Sequence, residues 1–203
     1  LDVLEKDPEL LNQNREILKS FYSVFKQADA SLRFVFLTGV TKFSQVSVFS
    51  GFNQPLDISM TEKFEALCGI TEEELHTQFA EPIRKMAESD GCTEEDIRQK
   101  LKRHYDGYHF SKNMADIYNP FSLLNAFYNN DVRDYWFTSG TPSYLIRLMN
   151  HFHEGIDELT NKFYLPDEFI NYKADVEYPL PMIYQSGYLT IKDYDKESNL
   201  FLL

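Results

Sequence analysis

The run Leu32-Arg33-Phe34-Val35-Phe36-Leu37-Thr38-Gly39 limits the possible folds of this chain more than any other stretch. Nearly continuous apolar residues closed by a glycine describe a strand covered on both faces, as in a parallel sheet. Such a strand needs hydrogen-bonded neighbours, and no second strand–helix–strand unit of this type follows it. The partner strands are therefore expected in sequence that is not here. The ends fit that expectation. The chain opens Leu1-Asp2-Val3-Leu4, with neither a methionine nor a signal peptide, and Asn199-Leu200-Phe201-Leu202-Leu203 is an apolar run that stops without a closing turn.

The strand is preceded by a helix. Asp7-Pro8-Glu9 supplies an N-cap, a proline at the first helical position and an acid for the first turn. Leu10, Leu11, Ile17, Leu18, Phe21, Val24, Phe25 and Ala28 then recur at helical spacing, giving a face expected to pack on residues 33–38. Residues 40–58 are polar and loop-rich, just beyond the carboxyl end of the strand, where open α/β sheets hold their ligands. Further on the chain turns helical. Thr71-Glu72-Glu73-Glu74 starts a helix carrying Leu75, Phe79, Ile83 and Met86, which Pro82 is expected to bend. Thr93-Glu94-Glu95-Asp96 starts another, and Asn119-Pro120 and Thr141-Pro142 mark two more. Period-two alternation over Leu189–Tyr194, a turn-like Asp195–Asn199 and the final apolar run predict a terminal hairpin, with Leu189 and Ile191 on one face and Thr190 and Lys192 on the other.

Charge and motifs exclude several functions. A net charge of −12 opposes binding to a phosphate backbone, so tight duplex DNA binding is not expected. No run approaches the roughly 18 apolar residues of a spanning helix, and membrane association is not expected. Two cysteines, Cys68 and Cys92, support neither a disulfide framework nor a zinc cluster, which fits a cytoplasmic location. The sequence has no GxxxxGK[ST] phosphate loop, GxGxxG turn or GxSxG elbow. His151-x-His153-Glu154, with Asp157 after it, lacks a committed third ligand and reads as a solvated pair, so no metal site is expected. The acids of the first helical turns read as caps. Tyr105-Asp106-Gly107-Tyr108-His109-Phe110-Ser111 reads as a turn that docks aromatic rings on the core, ahead of a ligand site. Thr38-Gly39-Val40-Thr41-Lys42 supports two readings equally, a satisfied strand-end turn or hydroxyls and an ammonium facing a γ-phosphate.

Six ordered motifs carry a family resemblance: Leu37–Ser44, Ser47–Asn53, Tyr105–Ser111, Tyr118–Ser122, Tyr135–Pro142 and Tyr184–Leu189. Together they resemble the predicted AAA-ATPase-like family of P-loop NTPases. Its members look like a core with Walker A and Walker B, then a helical region, a winged-helix-like module and often a PD-(D/E)XK nuclease-like domain. The resemblance implies an α/β remnant of a P-loop core over residues 1–60, a helical lid-like region over 61–165, and a small winged-helix-like α+β module with a terminal hairpin over 166–203, mainly α overall. It implies that Leu32–Thr38 carries the sensor-1 position and that Thr38, Thr41 and Lys42 face the nucleotide. ATP and Mg²⁺ are then expected for the full-length protein but not for this chain alone, which lacks Walker A and Walker B and would need an N-terminal core as its partner. The rival expectation is a non-catalytic module that binds another protein through its aromatic-rich, acidic surface.

Overall fold

The computed structural model describes residues 7–39, 56–135, 156–171 and 178–203. Within them the chain is mainly helical, with two small antiparallel sheets. Helix α1 (Pro8–Gln27) begins as its sequence dictates: the Leu10 amide donates to the Asp7 carboxylate at 3.0 Å, and Pro8 occupies the first turn. Its apolar face does not pack on the following segment. Ile17 is 64% exposed and Phe21 57%, and after a 3₁₀ turn at Asp29–Ser31 residues 32–39 form no strand, leaving Phe34 79% exposed. This corrects the expected burial of the segment. A strand is held by its ladder, and no described strand lies beside this one.

The next unit surrounds a two-stranded sheet. β1 (Ile70–Thr71) pairs antiparallel with β2 (Ile117–Tyr118) in the register Ile70↔Tyr118 and Thr71↔Ile117. Thr71 ends the strand and caps α2 (Glu72–Gln78), accepting from the Glu74 amide while the Glu74 carboxylate accepts from the Thr71 amide. The expected long helix is broken at Phe79, and α3 (Ala80–Asp90) starts afresh. Pro82 has no amide to donate, and its ring would meet the Gln78 carbonyl of a continuous helix, so the proline divides the helix instead of bending it. Gly91, at φ +67°, closes α3 in the left-handed region. The Thr93–Asp96 box opens α4 (Glu94–Tyr105), and Asn119 caps α5 (Pro120–Asn129). Leu75, Ile83, Ile97, Leu101, Tyr118 and Leu123 are wholly buried where these elements meet.

A second core lies in the C-terminal unit. β3 (Phe163–Tyr164) precedes two short helices, α6 (Pro166–Ile170) and α7 (Leu180–Gln185), followed by β4 (Asp193–Asp195) and β5 (Leu200–Leu202). The sheet order is β3-β5-β4, all antiparallel, so the last strand lies between the other two. Phe169, Leu180, Ile183 and Ile191 are fully buried there. The hairpin has the expected side-chain alternation, Leu189 and Ile191 buried, Thr190 half-buried and Lys192 exposed, but its paired strand begins only at Asp193. Asn199 closes the turn at φ +57°.

Candidate functional site

The residues predicted to face a nucleotide are not gathered into a described site. Thr38 lies near the end of the irregular segment after α1 and is exposed. Thr41 and Lys42 lie outside the described residues, as do His151, His153 and Glu154 and the helix expected after Thr141-Pro142. Cys68 and Cys92 are exposed free thiols. Among the described residues, no group of three or more His, Cys, Asp or Glu side chains could hold a metal ion, and no helix is long and apolar enough to cross a membrane.

A different set of groups does converge, at the end of α4 beside the β1–β2 sheet. The Lys102 ammonium stands 3.7 Å from Glu72, 3.6 Å from Asp106 and 3.7 Å from Asp116, so one cation faces three carboxylates. Each position follows from its element. Glu72 opens α2, Lys102 lies in the last turn of α4, Asp106 caps that helix, and Asp116 immediately precedes β2. The Tyr118 hydroxyl donates to Glu72 at 2.6 Å, and His109 Nε2 lies 2.8 Å from Asp116. The Asp106 side chain is only 5% exposed, and its Oδ1 has no hydrogen-bond partner.

These environments fix the protonation behaviour. Burial pushes the Asp106 carboxyl above its ordinary value, with Asp116 and Glu72 adding to the push and the Gly107 amide and Lys102 opposing it. The carboxylates outweigh desolvation at Lys102 and raise its pKa, so it stays an ammonium and is no nucleophile. Burial, reinforced by the bond to Glu72, drives Tyr118 upward, which keeps it a neutral donor. The arrangement can hold a proton at Asp106 and balance charge at Lys102. Of the Tyr105–Ser111 motif, one ring docks in the core: Tyr105 is buried, its hydroxyl donating to the Arg133 carbonyl at 2.8 Å and accepting from the Arg133 amide at 3.0 Å, and burial pushes its pKa up to about 12, whereas Tyr108 and Phe110 are half-buried. The sequence singled out this motif for its composition. It missed Glu72, Lys102 and Asp116, whose only sequence signal is an ordinary charge at a helix or strand end.

Comparison with known proteins sets this geometry in context. Residues 1–49 match the family AAA-ATPase_like, described as predicted AAA-ATPase. A curated protein of Azotobacter chroococcum mcd 1, named "Uncharacterized protein in vnfD 5'region", is 36% identical over 187 residues, which is 91% of this chain and 33% of that protein. The chain thus spans about a third of the length of the curated relative it matches. No solved structure matches it.

Proposed function

We propose that this chain is part of a P-loop ATPase and supplies the C-terminal part of its core, a helical lid-like region and a winged-helix-like module. The observation that carries this reading is the family match over residues 1–49, the stretch that contains Thr38, Thr41 and Lys42. Residues 1–60 then belong to the core, 61–165 to the lid-like region and 166–203 to the winged-helix-like module. The third assignment is supported by the chain order of two short helices and a terminal hairpin, whose last strand also pairs with β3 just before residue 166. The first is supported by the exposed apolar face of α1 and the exposed Leu32–Leu37 segment, both of which suit packing against further core strands. In this role Thr38 and Thr41 orient water or phosphate oxygens, Lys42 offsets charge on the transferring phosphoryl group, and ATP and Mg²⁺ are bound chiefly by the phosphate loop and acids of the rest of the protein.

A non-catalytic interaction module is the second reading, favoured by exposed aromatic residues such as Phe34 at 79% and Tyr128 at 89%. One experiment separates the two. ATP hydrolysis is measured for the 203-residue chain and for the full-length polypeptide, with and without EDTA. The ATPase reading expects turnover above buffer, abolished by EDTA, from the full-length polypeptide alone. Turnover by the short chain, or none by either, goes against it.

A further inference from the structure

We propose that His109 is a proton-operated latch between the helical unit around β1–β2 and the C-terminal three-stranded unit. The two units have separate cores, and the loop after α4 reaches from one to the other. There the Thr190 hydroxyl donates to the Gly107 carbonyl at 3.0 Å and accepts from the His109 amide at 3.2 Å. The imidazole makes the second half of the joint. Its Nδ1 lies 2.5 Å from the Ile191 carbonyl oxygen, and its Nε2 lies 2.8 Å from a carboxylate oxygen of Asp116.

Both of those partners are acceptors only, whereas a neutral imidazole carries a single N–H. One ring nitrogen of the neutral form would therefore present a lone pair to an oxygen lone pair at hydrogen-bond distance. The side chain is 14% exposed, so water has little room to intervene. The joint is fully hydrogen-bonded only when His109 and Asp116 together hold one more proton than a neutral imidazole facing a carboxylate. The charged groups around it are Asp116 directly and, through the other oxygen of Asp116, Lys102, which also neighbours Glu72 and Asp106. Proton uptake at His109 reduces the excess of carboxylates there. The latch is closed when the ring carries both protons and opens when one is lost; histidine side chains in general change charge between about pH 5 and 8.

The test combines ring ¹⁵N NMR of His109 with amide hydrogen exchange on the 203-residue chain at the two ends of that range. At low pH both ring nitrogens carry hydrogen. Raising the pH lowers protection of the His109 amide, which bonds across the joint to Thr190, by about tenfold or more after correction for intrinsic exchange, as expected for loss of one charge-assisted hydrogen bond, while the Lys192 amide, bonded to the Leu202 carbonyl within the C-terminal sheet, and the Leu101 amide inside α4 are unaffected. Asp116→Asn provides the decisive control. A carboxamide can turn its NH₂ toward Nε2 and donate, so the neutral imidazole becomes fully paired and protection persists at high pH. A neutral His109 throughout the range, equal protection at both ends, or the same loss in Asp116→Asn would each overturn the latch.

Discussion

At Gly69 a single hydrogen atom decides whether two strands can meet. A Cβ placed there would lie 1.8 Å from Cγ2 of Ile117, itself 1% exposed on the partner strand. Gly69→Ala must push β1 from β2 or force Ile117 out of its packing. We expect a loss of about 1–3 kcal/mol, typical of overpacking, measured as a lower urea midpoint; an unchanged midpoint would contradict the close approach. Nothing around Cys68-Gly69-Ile70 announces this need, because the obstructing side chain comes from a distant element. Asp106 is similar. Its motif was visible, but the carboxylates that share Lys102 with it, Glu72 and Asp116, come from other elements. Its raised pKa gives a signed prediction: the native chain keeps a proton that the unfolded chain has released, so stability falls as pH rises from about 3.9, the unfolded value, through the native one. Asp106→Asn should flatten that fall in urea midpoints measured against pH, and an identical slope in the variant would refute the assignment.

Elements whose signals are local were the most legible. The Thr93–Asp96 box formed as spelled, with the Asp96 amide donating to the Thr93 hydroxyl at 3.1 Å and the Thr93 amide donating to Asp96 at 3.0 Å. Thr93→Ala removes the acceptor for that amide and should cost about 1 kcal/mol, read from thermal unfolding together with faster exchange of amides in the first turn of α4. No loss would mean that packing alone fixes this helix start. Pro82 was legible as a breaker, yet whether it bends or divides a helix depends on the packing of the flanking turns. Residues 32–39 mark the opposite limit: apolar composition identifies a segment suited to a buried strand, but burial needs a ladder, and no described strand supplies one. The hairpin alternation was legible for the same reason as the caps, since period two is written in the residues themselves. The paired length was not, because it depends on how far β5 runs alongside.

For the whole molecule, net charge and sequence coverage matter most. The charge of −12 opposes the counterion-release contribution that drives duplex binding, whatever the topology of residues 163–203. A mobility assay near physiological salt should show no sub-micromolar complex with duplex DNA, and such a complex would mean that a local basic surface overrides the net. The chain spans 33% of its curated relative, and its family match covers residues 1–49. Thr38, Thr41 and Lys42 could be proposed from sequence because they follow an apolar run that reads as a buried strand, although residues 32–39 form no strand and Thr41 and Lys42 lie outside the described residues. The charged cluster around Lys102 could not, because it is assembled from separate elements. The central claim is tested most directly by ATP turnover of the full-length polypeptide carrying Lys42→Ala. The predicted result is a barrier raised by about 1–3 kcal/mol with thermal unfolding unchanged, the effect of removing one electrostatic group from a phosphoryl-transfer site, whereas turnover equal to that of the unsubstituted polypeptide would contradict the sensor role.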